Sequence, residues 1–368
     1  MMMNTNQHIL LLMAMLSAAL ISWFVIPVII RFAHRKGIVD MPDDERKVHE
    51  KKIPTLGGVA LFAGIVISFS AWIGHQPPVY YSYLMSALVI IFIVGLKDDI
   101  ENVSPPLKLL AQFLAAGIVV AGAGIRLHHF DGFLGMHDPG DLDTIVFTTF
   151  SIVVIINAYN LIDGVDGLAG SVSGVASLLF AAFFYVNGHF AEAMLALVMF
   201  GALAGFLYHN FEPARIFMGD TGALLLGFIM SVLAFRMIGL NSGASPLHFH
   251  RPSGIAFAIM IVPLYDTLRV IVLRLIKRKS PFRADNLHLH HRLLGLGYSH
   301  RQISLILSVM TLLLVGVAYA INRWEIHYFL VVILLLSSLM LPLMRWWRKI
   351  RPARTPSATY PPPAQNLS

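Results

Sequence analysis

The sequence predicts an all-α, polytopic integral membrane protein of about eleven transmembrane helices, on three observations. Of 368 residues, 57% are hydrophobic and only 13% are charged, with a mean hydropathy of +0.72; soluble domains carry about 25% charged residues. Apolar runs of roughly 20 residues, each enough for about 30 Å of hydrocarbon, recur along the chain. Lys and Arg gather in alternate connections between those runs.

The first run, 9–30, has no Lys or Arg before it. A signal peptide needs a basic leader and a shorter apolar core, so this run reads as a retained first span. Further spans are predicted at 56–74, 79–96, 106–124, 143–161, 168–187, 190–208, 219–239, 253–275, 303–321 and 327–344, the last two divided at Asn322-Arg323-Trp324-Glu325. With odd-numbered helices ending inside, only Arg126, Arg236, Arg251 and Arg323 of the 27 Lys and Arg fall outside. That bias places the amino terminus outside and the carboxyl terminus in the cytoplasm. It also explains the formal charge of +7 without nucleic acid as a partner. Residues 1–350 form one transmembrane catalytic domain, and the Pro- and Ser-rich 351–368 a disordered cytoplasmic tail. Gly201-x-x-x-Gly205 and Gly170-x-x-x-Gly174 read as ordinary membrane-helix composition. The outer loop 126–143, with His128, His129, Asp131 and His137, reads as a solvated polar loop.

Unusual polar residues gather at the inner ends. The central stretch is Asn157-Ala158-Tyr159-Asn160-Leu161-Ile162-Asp163-Gly164-Val165-Asp166-Gly167-Leu168-Ala169-Gly170, set between apolar runs. Asn157, Asn160, Asp163 and Asp166 recur every three residues, which would drift around a regular helix. They converge only if the helix breaks near Gly164 and Gly167. On the same side lie Lys97-Asp98-Asp99-Ile100-Glu101-Asn102 and Phe217-Met218-Gly219-Asp220-Thr221-Gly222. The basic groups there are Lys47, His49, Arg283, His288, His290, His291 and Arg292, with Asp266 three residues before Arg269.

Asp98, Asp99, Asp163, Asp166 and Asp220 cannot all gather as bare anions at low dielectric. A divalent cation resolves this. With 0 Cys and oxygen ligands, Mg²⁺ is favoured, Mn²⁺ being the alternative, and Asp220 and Asn160 lead as ligands. Zinc on His288-x-His290-His291 is a weaker alternative to phosphate binding by these residues. Carboxylate-held metal with imidazole and guanidinium suits phosphoryl transfer, where charge on a diphosphate must be neutralised.

These motifs resemble the polyprenyl-phosphate N-acetylhexosamine-1-phosphate transferases, over most of the chain. Lys97–Asn102 is similar to the family's aspartate-rich motif, Asn157–Gly170 to its Asn-x-x-Asn-x-x-Asp-Gly-x-Asp-Gly-Leu signature, and Phe217–Gly222 to its magnesium motif. Glu101-Asn102 departs from the pattern, which often ends in a further Asp. His288-Leu289-His290-His291-Arg292, Arg46-Lys47-Val48-His49 and Gly295-Leu296-Gly297-Tyr298 to Gln302 are similar to the branch using UDP-GlcNAc. The branch using UDP-MurNAc-pentapeptide typically has three consecutive histidines there.

The resemblance implies transfer of GlcNAc-1-phosphate, or a close HexNAc-1-phosphate, from the UDP-sugar to undecaprenyl phosphate, with release of UMP. It implies an enzyme of the inner or plasma membrane whose active site faces the cytoplasm. Asp98 and Asp99 would position the lipid phosphate, and Asp163 would shape the nucleotide and metal site. Asn157, Asp166, Lys47, His49, Arg283, His288, His290, His291, Arg292 and Asp266 would bind or brace substrate. A homodimer is left open. The rivals are a phospho-MurNAc-pentapeptide transferase and, from another class, a secondary transporter of an anionic metabolite. Transporters place their sites near the bilayer midplane on broken helices, whereas these acids lie at helix ends. The CDP-alcohol phosphotransferases also use Asp-Gly repeats, but their later Asp residues are missing after Gly167.

Overall fold

The computed structural model describes residues 3–38, 53–74, 77–127, 131–132, 135, 140–280 and 287–350. Lys47, His49, Arg283 and the tail 351–368 lie outside the described residues. The described residues form helices and no β-strand. In chain order these are α1 (Thr5–Lys36), α2 (Gly57–Trp72), α3 (Tyr80–Ile100), α4 (Pro105–Gly117, extended by a wider turn over Ile118–Gly122), α5 (Asp141–Ile162) and α6 (Leu168–Val186). There follow α7 (Phe190–Asn210), α8 (Gly219–Leu240), α9 (Pro252–Ile259), α10 (Ile261–Ile276), α11 (Leu289–Gly295), α12 (His300–Ala320) and α13 (Ile326–Ile350).

Eight of these helices are long and apolar enough to cross a membrane, and a ninth is added if α9 and α10 form one span bent by 84°. The protein is a multi-pass membrane protein. Every predicted apolar run is present as a helix, but 253–275 is broken at Met260 and 56–74 yields a helix of only 16 residues.

α8 forms the centre of the bundle, buried along almost its whole length, with α2, α3, α5 and α6 packed on it. α1 lies against α7. Gly201 and Gly205 of α7 face the backbone of α1, where an added methyl would overlap the carbonyls of Met15 and Ala19. This Gly-x-x-x-Gly is therefore a packing surface and not mere composition, since only small residues let backbones approach this closely.

One face collects the working ends. Pro54 to Gly58 pairs with the start of α8 through Phe217 N to Pro54 O (2.8 Å), Gly57 N to Phe217 O (2.9 Å) and Gly58 N to Met218 O (2.9 Å). The opposite face is tied by Asn187 to Leu247 (2.9 Å) and by the ion pair of Arg236 with Glu192.

Candidate active site

The break in the central stretch falls where the glycines predict it. α5 stops at Ile162 and α6 starts at Leu168, with Gly167 in the left-handed region at φ 74°. The turn holds itself by Gly164 N to Ile162 O (2.9 Å) and Leu168 N to Val165 O (3.0 Å).

Four helix ends meet beside it. Lys108, in the first turn of α4, places its ammonium 2.5 Å from Asp220 Oδ2 and 2.7 Å from Asp98 Oδ2. Asn160 Nδ2 donates to the other Asp220 oxygen in a short contact. Asp98 Oδ1 also accepts the backbone N–H of Val103 (2.7 Å). Asp99 turns elsewhere: it accepts from Asp220 N (2.7 Å), Thr221 N (3.1 Å) and Thr221 Oγ1 (2.5 Å). These are the unsatisfied donors at the start of α8, where a carboxylate also complements the helix dipole. The predicted Asp98-Asp99 pair is thus divided, one facing the cluster and one fixing the helix that carries Asp220.

Asp163 is half-buried in the break and makes no hydrogen bond or ion pair among the described residues. Burial pushes its carboxyl up to about 7, and the charges of Asp220, Asp99 and Asp166 add to the shift. Asn157 does not reach the cluster through its amide nitrogen, which donates to Gln112 Oε1 (2.6 Å) and Val153 O (2.8 Å). Asp166 faces α12 and the α7–α8 connection, near His300 Nδ1 (3.3 Å) and Ala214 N (3.3 Å).

The histidine group approaches from the next connection. Asp266 accepts from His288 Nδ1 (2.9 Å), Leu289 N (2.9 Å) and Arg269 (3.0 Å), so it orders the start of α11. The Asp266–Arg269 ion pair that the i+3 spacing allows is present at 3.0 Å. His290 is buried, stacks with His288 at 5.7 Å between ring centres and lies 4.3 Å from His291. Its ring packs on Gly164, where an added methyl would overlap it. Burial, then the neighbouring His291, lowers His290 to about 3, so it is neutral at ordinary pH. Its Nδ1 is buried without a partner. Arg292 is half-buried on the same short helix.

Among the described residues no three His, Cys, Asp or Glu gather as a metal cage. The donor set still fits a hard cation. Asp98 and Asp220 share one ammonium, Lys108, with the unpaired Asp163 beside them, so carboxylates outnumber the cations, and every candidate ligand is oxygen.

Comparison with known proteins decides the family. Glycosyl transferase family 4 matches residues 81–238. The chain is 33% identical over 325 residues to the probable undecaprenyl-phosphate N-acetylglucosaminyl 1-phosphate transferase of Bacillus subtilis, covering 87% of this chain and 86% of that one. It is 34% identical over 316 residues to the decaprenyl-phosphate N-acetylglucosaminephosphotransferase of Mycobacterium tuberculosis, covering 79% and 78%. To the undecaprenyl-phosphate alpha-N-acetylglucosaminyl 1-phosphate transferase of Yersinia pestis it is 29% identical over 310 residues, covering 81% and 82%. The chain belongs to glycosyl transferase family 4.

The family 4 match takes in Asp98, Asp99, Asn157, Asn160, Asp163, Asp166 and Asp220 and stops before His288. It also takes in Lys108 and Gln112, which the motif reading passes over. Lys108 was detectable as a lone charge near the start of an apolar helix, a position where ionisable residues are functional by default. Gln112, one turn further on, is buried with its Nε2 unpartnered.

Proposed function

We propose that this protein transfers N-acetylglucosamine-1-phosphate, or a close HexNAc-1-phosphate, from the UDP-sugar to a polyprenyl phosphate such as undecaprenyl phosphate, releasing UMP. The names of its relatives support both substrates. The observation that carries the reading is the convergence of Asp98, Lys108, Asn160 and Asp220 from α3, α4, α5 and α8 beside the break that bears Asp163.

An oxygen of the lipid phosphate attacks the β-phosphorus of the UDP-sugar. The new P–O bond forms as the bond to the α-phosphate oxygen breaks, and UMP leaves with that electron pair. Asp220 and Asn160 would hold Mg²⁺ (Mn²⁺ in its place), with Asn160 turning its amide oxygen inward. When bound, the ion neutralises the diphosphate, and it needs few protein ligands because magnesium keeps several waters. Lys108 spends two of its three N–H donors on Asp98 and Asp220 and has one left for a phosphate oxygen. Asp98 fixes that ammonium. Asp99 acts through α8, by setting where Asp220 stands. A lipid phosphate is already largely ionised near neutral pH, so the chain needs to place it, not deprotonate it. His290, neutral and packed on Gly164, suits hydrogen bonding to sugar or phosphate, with His288, His291 and Arg292 beside it. Lys47, His49 and Arg283 belong to the same proposal from the basic connections.

The reading includes eleven crossings, counting α2, α3 and the bent α9–α10 pair, with the amino terminus outside and the site on the cytoplasmic face of the cell membrane. The loop charges support it, since Arg31, Arg35, Lys36, Arg274 and Lys277 lie on the side of the cluster. Membranes containing the protein, supplied with radiolabelled UDP-GlcNAc and undecaprenyl phosphate, should pass label to the lipid fraction and release UMP. Label that stays water-soluble, or crosses into vesicles unchanged, would overturn the reading.

A further inference from the structure

We infer that His300, at the start of α12, is a positioning residue that holds the α5–α6 break in its working shape by clamping Asp166. The inference rests on the proposed transfer reaction only for its effect on turnover.

Asp166 is held by protein at its N–H, its carbonyl and its carboxylate Oδ2. Its backbone N–H points at His300 Nδ1 (3.2 Å), and its carboxylate Oδ2 lies 3.3 Å from the same nitrogen. That oxygen also accepts Ala214 N–H (3.3 Å), and the Asp166 carbonyl accepts Ser304 Oγ–H (3.1 Å). The next amide, Gly167 N, donates to Asn210 Oδ1 (2.8 Å), whose Nδ2 donates to Ile216 O (2.8 Å). Asp166 therefore cannot turn Oδ2 towards a substrate without releasing α12 and the α7–α8 connection, although its motif position invites that reading.

The turn from Asp163 to Gly167 has few hydrogen bonds of its own, so its shape depends on what grips it. The grip comes from a rigid element. Ser299 and Gln302 close a reciprocal cap on α12, with Gln302 N to Ser299 Oγ at 3.3 Å and Ser299 N to Gln302 Oε1 at 3.0 Å. His300 is the first residue inside that cap. Arg301 N donates to Glu212 (3.2 Å), which ties the α7–α8 connection to the same turn. Asp163, three residues before Asp166, carries the unpartnered carboxyl of the cluster. The short helix α11 just before α12 bears His290, which packs on Gly164. Two successive helices thus hold the break, α11 through His290 at Gly164 and α12 through His300 at Asp166. A packing residue needs no polar partner on its target; His300 Nδ1 has two within reach on Asp166, accepting the backbone N–H when unprotonated or donating to Oδ2 when protonated.

The test uses the full chain in lipid nanodiscs, with His300→Ala and His300→Asn. Asn can place an amide oxygen or nitrogen where Nδ1 stands. Hydrogen exchange of peptides covering residues 163–168 should be tenfold or more faster in His300→Ala, return towards wild type in His300→Asn, and stay unchanged in α8. UMP release should show kcat reduced about tenfold in His300→Ala with KM for undecaprenyl phosphate unchanged. Asp166→Asn should reduce kcat similarly, and the double variant should be no worse than the poorer single one. Unchanged exchange over 163–168 in His300→Ala overturns the inference, whatever the activity. So does a turnover loss that His300→Asn leaves in place and that follows a lower unfolding temperature. A wild-type protein with the expected exchange pattern but no UMP release would instead sink the transfer reading and leave the clamp standing.

Discussion

Lys108 carries the most exposed consequence of this geometry. Its ammonium lies within 2.7 Å of oxygens from both Asp98 and Asp220, so those oxygens are at most about 5 Å apart. Lys108→Gln keeps most of the stem and a neutral donor but removes the charge between them. At an effective dielectric of about 20, two carboxylates about 5 Å apart repel by about 3 kcal/mol. Removing one partner of a buried pair costs about 3–5 kcal/mol, and the 10–29% exposure of these side chains argues for the lower end. The variant can relieve the repulsion only by protonating one acid or by shifting it, and either spoils the site. About 3 kcal/mol corresponds to roughly a hundredfold in rate. UMP release at saturating Mg²⁺ should therefore fall by about that factor in Lys108→Gln. Adding Asp98→Asn to that variant should recover part of the loss, because one repelling charge is gone. Lys108→Arg should fall between, since a planar fork replaces a point charge. Activity of Lys108→Gln within threefold of wild type would refute the argument that this ammonium balances the two carboxylates.

Three further outcomes are expected. Asp220→Ala should lose metal-dependent UMP release to background, and retained activity would remove Asp220 as a ligand. Asp99→Ala strips the acceptor from two backbone donors at the start of α8, a loss of about 1–2 kcal/mol for a helix cap, so the unfolding temperature should fall by about 2–4 °C and by less in Asp99→Asn; no shift would deny the capping role. Asp163, raised to about 7, has a pH signature: its ionised form costs stability, so the cation-free protein should lose stability as pH rises through about 7. Mg²⁺ should offset that loss, giving a larger thermal stabilisation at pH 8 than at pH 6, and Asp163→Asn should flatten the difference.

The fold was largely legible because lipid demands long apolar helices that satisfy their own backbone groups. Helix ends matched closely where Gly, Pro or a polar pair interrupts the apolar run, as at Ile162 and Leu168 or at Ala320 and Ile326. The break at Met260 was signalled only by Pro263, which has no N–H for the Ile259 carbonyl and clashes with it; Ile259-Met260-Ile261 itself carries no polar or glycine signal. Lys108 was legible as a lone charge but not as the partner of the two acids. A basic residue on the inner side is already explained by loop charge bias, so its contact with Asp98 and Asp220, from α3 and α8, is visible only in three dimensions. His300 was hidden in the same way, since its partner lies 134 residues earlier.

Asp98 and Asp99 show what sequence adjacency conceals. A motif with two consecutive acids invites a single shared role. A helix turns about 100° per residue, so neighbours at positions 98 and 99 point in different directions and meet different elements. Asp98 meets α4 through Lys108, whereas Asp99 meets the start of α8 through the Asp220 and Thr221 amides. Both end on Asp220: one through a shared counter-ion, the other through the backbone that carries it. The pair is therefore two independent constraints on one carboxylate. Asp98→Asn should act on charge and metal dependence, and Asp99→Asn on the placement of α8, with effects that differ in kind although the residues are adjacent. If both variants changed only the same parameter to the same degree, the division of roles would be wrong.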